Sequence, residues 1–144
     1  MSDAARAVVI DTNILGASLR PGHTELWDLA QPFIGDAPIL ISHVTAAELR
    51  FGALLAGWGP HRLRDLDERL IAVQIVWPGP SLVDIYAGLR TSATRAGHPI
   101  AAKHHEADRW VAATAVRLGV PLLSADNIFD NIGTVDFRHI TTSK

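Results

Sequence analysis

Three short apolar segments, separated by helix-forming sequence, constrain the fold of this chain most strongly. They are residues 8–10, 39–41 and 122–124. None of them alternates between apolar and polar side chains, which indicates strands that are covered on both faces. Strands that alternate with helices are joined by right-handed crossovers and form a parallel sheet. The sequence therefore predicts an α/β fold with helices on both faces of the sheet.

Two weaker segments extend this pattern. Residues 74–77 are a short strand candidate, and residues 134–137 are a weaker last one, which brings the sheet to about five strands. Helical periodicity and capping residues predict helices that begin near Thr24 and Ser42 and helices at about 61–72, 82–96 and 105–118. Because the sequence contains no linker, repeat or low-complexity tract, we expect a single domain spanning residues 1–144.

Composition excludes several kinds of protein. The chain has 144 residues, of which 48% are hydrophobic, and no cysteine, so disulfides, zinc–thiolate sites and a cysteine nucleophile are excluded. A net charge of −2 is not that of a protein that grips duplex DNA over its whole surface. No basic leader precedes the first strand, and no apolar stretch approaches the roughly 20 residues of a membrane span. We therefore expect a cytoplasmic protein with no membrane partner.

Four acidic residues lie where predicted strands end or predicted helices begin. Asp11 closes the first strand and Asp126 follows the strand at 122–124, while Glu48 and Asp108 lie near the starts of helices. In an open parallel sheet, ligands bind beyond the carboxyl ends of the strands. Carboxylates that share a cleft repel one another unless a divalent cation offsets their charge. These positions predict a magnesium or manganese site and, with it, phosphate chemistry.

Most of these acids also have a purely structural explanation. Asp11 and Asp126 can cap the helix or turn that follows them, and Asp108 can complement the dipole of its helix. His104 precedes Asp108 by four residues, the spacing of a helical metal pair, so it is an alternative ligand. Two adjacent histidines are nonetheless more often surface residues than ligands.

Glu48 has two competing explanations. With Thr45 it fits a capping box, in which the glutamate only satisfies a backbone donor of its own helix. Ser42 offers a different cap immediately after the second strand. If Ser42 is the cap, Glu48 lies in the second turn of the helix and is free to face the cleft.

The four acids occur in motifs that together resemble a known family. The motifs are VIDTN from Val9, TAAEL from Thr45, DRWVAATA from Asp108 and SADNIF from Ser124. In this order they resemble the PIN-domain ribonucleases, and in particular the VapC-type toxins of toxin–antitoxin pairs. Each motif alone is weak, but the ordered set spans most of a short chain.

The resemblance implies a fold, an activity and partners. The fold would be a PIN-like three-layer α/β/α sandwich around a parallel sheet of about five strands. The activity would be Mg²⁺- or Mn²⁺-dependent endoribonuclease cleavage of single-stranded or looped RNA, because such RNA can bend into a cleft. The resemblance also implies a homodimer and neutralisation by a cognate small antitoxin protein.

Motif positions also imply roles for individual residues. Catalysis and metal binding would fall to the acidic quartet Asp11, Glu48, Asp108 and Asp126, with no histidine or serine nucleophile. Supporting polar groups would be Asn13 and Ser124. The basic residues nearest to the motifs in sequence, and therefore the predicted RNA contacts, are Arg50, Lys103 and Arg109.

Other functions match the sequence less well. A magnesium-binding phosphotransfer domain needs an acceptor aspartate after its middle strand, and a haloacid-dehalogenase-type phosphatase needs Asp-x-Asp where this chain has Asp11-Thr12-Asn13. A non-catalytic scaffold would require four coincidental acids. A PIN nuclease that processes RNA without an antitoxin is the main alternative.

Apolar side chains outside the motifs suggest interfaces. Leu54, Leu55 and Trp58 lie near the end of one predicted helix, and four apolar residues between 82 and 89 repeat at helical spacing in another. Exposed apolar patches often mark interfaces. Packing of these residues on the sheet is an equally good explanation.

Overall fold

In the computed structural model, which describes residues 6–22 and 24–142, five strands form one parallel sheet. The strands are β1 (Val8–Ile10), β2 (Ile39–Ser42), β3 (Gln74–Val76), β4 (Leu122–Ser124) and β5 (Phe137–His139). Their order across the sheet is β3-β2-β1-β4-β5, and all neighbouring pairs are parallel. The predicted fold class is confirmed; the two ends of the predicted domain and residue 23 lie outside the described residues.

Six α-helices connect the strands in the part of the chain that the structure describes. They are α1 (Thr12–Ala17), α2 (Glu25–Ile34), α3 (His43–Leu55), α4 (Pro60–Ala72), α5 (Pro80–Ala96) and α6 (Glu106–Leu118). Short 3₁₀ turns lie at Pro99–Ala101, Lys103–His105 and Asn127–Phe129. Among these described helices, none combines the length and the apolar character that crossing a bilayer requires.

The sheet separates two apolar cores, which makes the fold a three-layer sandwich. Val9 of β1 belongs to the core that also contains Leu89 of α5 and Val111 of α6. Its neighbours Val8 and Ile10 point to the opposite core, which includes residues of α1 and α2. This alternation follows from the two-residue period of a strand. Because both faces of β1 are covered, its carboxyl end is the part left to carry polar chemistry.

The last strand lies later in the chain than the sequence indicates. The sequence predicts a strand at residues 134–137, but β5 begins at Phe137. Val135 instead donates its amide to Ile132 in a turn and packs partly buried against the core. Sheet pairing starts where the amide of Leu122 donates to the carbonyl of Asp136 (2.9 Å). Val135 therefore packs on the core from a turn that precedes β5, and its apolar side chain does not indicate a strand.

Candidate functional site

The four predicted acids line a single open cleft of about 830 Å³. Asp11 lies directly after β1, and Asp126 lies just beyond β4, the strand next to it in the sheet. Glu48 comes from the second turn of α3 and Asp108 from the first turn of α6. The fold thus brings together, at the carboxyl edge of the sheet, four residues that span most of the sequence.

Asp11 is the only buried member of this quartet, with 5% of its surface exposed. Its Oδ1 accepts a hydrogen bond from the amide of Thr12 (2.8 Å), and its Oδ2 accepts one from Ser124 Oγ (2.7 Å). Burial raises the pKa of Asp11 from 3.8 to about 6. The two hydrogen bonds oppose this rise, while the nearby charges of Asp108 and Glu48 add to it. At neutral pH the folded protein therefore holds a buried anion under repulsion.

The predicted supporting residues form a network behind Asp11. Asn13 Nδ2 donates to Ser124 Oγ (3.2 Å), and Asn13 Oδ1 accepts from the amide of Ala125 (3.2 Å). Ser124 Oγ also accepts from the amide of Asp126 (3.0 Å). A single hydroxyl group therefore joins the carboxylate of Asp11 to the backbone that carries Asp126.

Glu48 faces the cleft and does not form a capping box. Ser42 is the N-cap of α3, since its Oγ accepts from the amide of Val44 (3.2 Å). Glu48 Oε1 instead accepts a hydrogen bond from Thr12 Oγ1 (2.7 Å). Thr12, which sequence reasoning gave no role, therefore contacts Asp11 through its amide and Glu48 through its hydroxyl. Its position directly after Asp11 was the only available signal.

Asp108 pairs with His105 and not with His104. His105 Nδ1 lies 2.7 Å from Asp108 Oδ2, and both side chains are partly buried. The ring of His104 stacks on that of His105, with 4.0 Å between centroids. The i, i+4 spacing was misleading because α6 begins only at Glu106, so His104 precedes the helix. His105 therefore orients one carboxylate oxygen of the quartet.

Asp126 combines a structural position with a place in the cleft. Its Oδ1 accepts from the amide of Ile128 (3.0 Å), so it caps the 3₁₀ turn as the structural explanation predicted. Asp126 nevertheless lines the same cleft as the other three acids. The two roles are compatible because a carboxylate has a second oxygen.

The chemistry of these donors fits a hard divalent cation. All four predicted ligands offer carboxylate oxygens, the ligand type that Mg²⁺ and Mn²⁺ prefer. Within the described residues, no three His, Asp or Glu side chains form a ready-made metal cage. Mg²⁺ does not need such a cage, since it usually keeps several water ligands and binds one or two carboxylates. The buried, repelled charge of Asp11 supplies a reason for a cation to bind here.

The predicted RNA contact at Arg109 is wrong. Its side chain is 1% exposed, and Nη1 donates to the carbonyls of Ile100 and Ala102 (2.8 Å each). Its Nε donates to the hydroxyl of Tyr86 (3.2 Å). Arg109 turns toward the core because one residue along a helix rotates the side chain by about 100° from that of Asp108. Its charge secures the segment that precedes α6 instead of contacting a substrate.

The other two predicted RNA contacts lie away from the lining of the cleft. Arg50 pairs with Asp67 of α4, and Lys103 is exposed on a 3₁₀ turn. The arginines that do line the cleft are Arg20 and Arg62. Their position was not predictable from sequence, because folding alone brings these two arginines near the acids.

The chain matches a known protein family over most of its length. The family model described as PIN domain matches residues 8–135, and the chain belongs to this family. PIN domains are nucleases that generally use divalent metal ions. The family assignment replaces the phosphotransfer, phosphatase and scaffold alternatives. No curated protein matches the chain.

Solved structures of similar fold come from several bacteria. VapBC2 from Rickettsia felis, bound to a promoter DNA fragment, is similar with a TM-score of 0.77 at 20% identity, covering 92% of this chain and 98% of the other. FitAcB from Neisseria gonorrhoeae has a TM-score of 0.73 at 26% identity, with coverages of 90% and 95%. VapBC-5 from Mycobacterium tuberculosis, a member of the VapBC family of toxin–antitoxin systems, has a TM-score of 0.67 at 24% identity, with coverages of 96% and 100%. The resemblance to VapC-type PIN domains is confirmed at the level of the fold.

Replacing Asp11 by asparagine is expected to stabilise the metal-free protein at high pH. The wild-type carboxyl takes up its proton near pH 6 when folded but near 3.8 when unfolded, so it lowers stability most above pH 6. In EDTA, Asp11→Asn should gain about 2–3 kcal/mol at pH 8, and the gain should shrink as the pH falls from 6 to 4. Urea unfolding at several pH values measures this difference.

Asp136→Asn is the matched control for this pH series. A hydrogen bond from Arg138 lowers the pKa of Asp136, so its titration falls below this window. The stability difference of that variant should stay constant between pH 5 and 8. A pH-independent effect of Asp11→Asn would contradict the proposed buried anion.

Removing the guanidinium of Arg109 is expected to destabilise the fold. Arg109→Met keeps much of the side-chain volume but leaves the carbonyls of Ile100 and Ala102 without this donor. The carbonyl of Ala102 keeps the amide of His105 as a donor (3.0 Å), whereas the buried carbonyl of Ile100 is left unsatisfied. An unsatisfied buried acceptor costs about 1–3 kcal/mol, so we expect a loss of about 1–3 kcal/mol in chemical denaturation. Arg117→Met, at an exposed position of the same helix, is the control and should change stability by less than about 0.5 kcal/mol. Equal stability of the two variants would exclude the structural role of Arg109.

Proposed function

We propose that this protein is a Mg²⁺- or Mn²⁺-dependent endoribonuclease that cleaves single-stranded or looped RNA. The observation that carries the proposal is the buried carboxylate of Asp11, which shares one cleft with Glu48, Asp108 and Asp126 in a PIN domain. A site of this charge needs a cation, and a cation bound at the edge of an open cleft is suited to phosphodiester chemistry.

The residues of the chain would divide the work between holding the ion and orienting its ligands. Asp11 and Asp108 are the proposed direct ligands, with Glu48 and Asp126 contributing directly or through water. When bound, the ion would supply positive charge against the phosphate and lower the pKa of the attacking water. Thr12 and Ser124 hold two of the carboxylates by hydrogen bonds, and His105 holds Asp108. This fixed arrangement reduces the reorganisation that binding requires.

Cleavage of RNA is expected to depend on both the cation and the acids. Purified protein should cleave single-stranded RNA with Mg²⁺ or Mn²⁺ and stop when EDTA is added. Asp108→Asn should lower kcat by about a hundredfold or more while leaving the circular dichroism spectrum unchanged, because it removes a ligand of the ion. Asp28→Asn, an exposed acid of α2 outside the cleft, is the matched control. Undiminished cleavage by Asp108→Asn would overturn the assignment.

We further propose that the nuclease is the toxin of a type II toxin–antitoxin pair and forms a homodimer. Support comes from similar structures of the VapBC family of toxin–antitoxin systems. Exposed apolar side chains on α3 also support a partner, since Phe51, Leu54 and Leu55 are 60–75% exposed. The apolar residues of α5 support it less, because Leu82 and Leu89 are buried in the fold. An antitoxin arginine among the acids would replace the charge of the ion.

Expression in the host is expected to separate a toxin from a processing nuclease. The wild type should arrest growth, Asp108→Asn should not, and co-expression of a small adjacent gene should relieve the arrest. Growth and RNA cleavage in the same cells are the measurements. If the wild type is harmless at levels where its ribonuclease activity is measurable in extract, the toxin proposal fails and a non-toxin RNA-processing role replaces it.

A further inference from the structure

The cleft extends well beyond the four acids. Along α3 it is lined by Glu48, Gly52 and Ala56, which are spaced four residues apart and so share one face of the helix. Eight residues of helix span about 12 Å. That distance equals about three stacked nucleotides at about 3.4 Å each. The cleft therefore offers room for more of a nucleic acid strand than the phosphate at the acids.

The floor of this extension is formed by the small residues Gly52, Ala53 and Ala56, and it is open. Gly52 is exposed, and a Cβ added there would lie within 4 Å of no other atom. Ala53 and Ala56 add only methyl groups to the lining. Small side chains at these positions leave space along the helix where larger ones would fill it.

Beyond the floor, the lining changes from acidic to aromatic and basic. Trp58 follows α3 and donates its amide to the carbonyl of Ala53 (3.0 Å). This hydrogen bond fixes the position of the Trp58 backbone relative to α3. Arg62, in the first turn of α4, stacks on this indole with its Cζ 3.8 Å from the ring centroid. Arg20, exposed just after α1, lines the same cleft. Neither arginine forms an ion pair with any of the described residues.

We propose that Trp58, Arg62 and Arg20 form a strand-holding subsite for the nucleotides next to the cleaved bond of single-stranded RNA. The inference rests on the proposed function and names the residues that give it affinity. The charged side chains of the cleft lining are the four carboxylates, which repel phosphates, and these two arginines, which are the cations available to phosphates beyond the ion. Bases stack on aromatic rings and on guanidinium planes regardless of their identity.

An RNA strand suits this lining better than a protein segment does. Bases and phosphates alternate along any single strand. A stacking surface beside two unpaired cations can therefore bind such a strand wherever along its length the contact begins. A peptide would need an acidic residue for each arginine and a basic residue for the carboxylates at the other end. The protein occupant is therefore the alternative that the experiment must separate from RNA.

The test measures RNA affinity in a background that does not cleave. Every variant is made in Asp108→Asn protein, and binding to a fluorescein-labelled single strand of about 12 nucleotides, a usual site size, is followed by anisotropy. Trp58→Leu, Arg62→Gln and Arg20→Gln should each raise Kd about tenfold. The arginine variants should also reduce the slope of log affinity against log salt by about 0.7.

Matched controls come from outside the cleft. Trp77→Leu replaces a tryptophan that is 65% exposed, and Arg90→Gln replaces an exposed arginine of α5. Both should leave Kd unchanged.

Gly52→Leu should fill the floor and weaken RNA binding, although it alters neither the acids nor the cations. In otherwise wild-type protein, Trp58→Leu should raise KM, keep kcat within about twofold and leave the rise of Tm with Mn²⁺ intact.

The outcomes distinguish this inference from the proposed function. If the background protein binds RNA and the cleft variants match the controls, the strand-holding subsite is wrong and the nuclease proposal stands. If the wild type neither binds nor cleaves RNA, both are wrong. If the variants keep their RNA affinity but escape inhibition by the co-expressed partner, the subsite belongs to the partner protein and the inference is overturned.

Discussion

The burial of one carboxylate, that of Asp11, is the constraint on which the rest of the site depends. Its position at the end of the central strand removes it from water, and its pKa near 6 leaves it charged at neutral pH. The rise of this pKa from 3.8 corresponds to a loss of about 3 kcal/mol of folding stability at neutral pH, a large part of the stability of a small domain. A ligand that binds only the folded state adds to stability. The proposed cation binding would therefore be linked to folding through this residue.

Regular structure, and not flexible loops, positions the groups around Asp11. The amide of Asp11 donates to the carbonyl of Leu123 (2.9 Å), which extends the pairing of β1 with β4 by one step. That register brings Ser124 within 2.7 Å of the carboxylate. A slip of one residue would point the side chains of β4 to the opposite faces. The apolar pattern that fixes the register of the sheet therefore also fixes the chemistry at its edge.

The carboxyl ends of parallel strands meet at one edge of the sheet. The positions of Asp11 and Asp126 were therefore predictable once the strands that precede them were identified from the sequence. Side-chain direction was harder to predict. Arg109 adjoins Asp108 in sequence yet points into the core. His105 and not His104 contacts Asp108, because α6 begins at Glu106 and the i, i+4 spacing therefore does not apply to His104. The cations of the cleft carry no local signal. Arg20 follows α1 and Arg62 lies in α4, and only the packing of α1 against α3 and of α3 against α4 brings them to one cleft.

Arg109 and Arg62 both lie over aromatic rings, and the difference in their burial determines whether the charge is available to a ligand. Arg109 lies 5.9 Å from the centroid of Tyr86, is buried and donates to two backbone carbonyls, so its charge is committed to the fold. Arg62 lies closer to its ring, at 3.8 Å, but remains exposed and has no carboxylate partner among the described residues. A buried guanidinium cannot contact a phosphate without breaking its own hydrogen bonds, whereas an exposed guanidinium loses only its hydration. In a chain with a net charge of −2, the exposed arginines beside the acids are therefore the residues from which the proposed RNA-binding subsite is built.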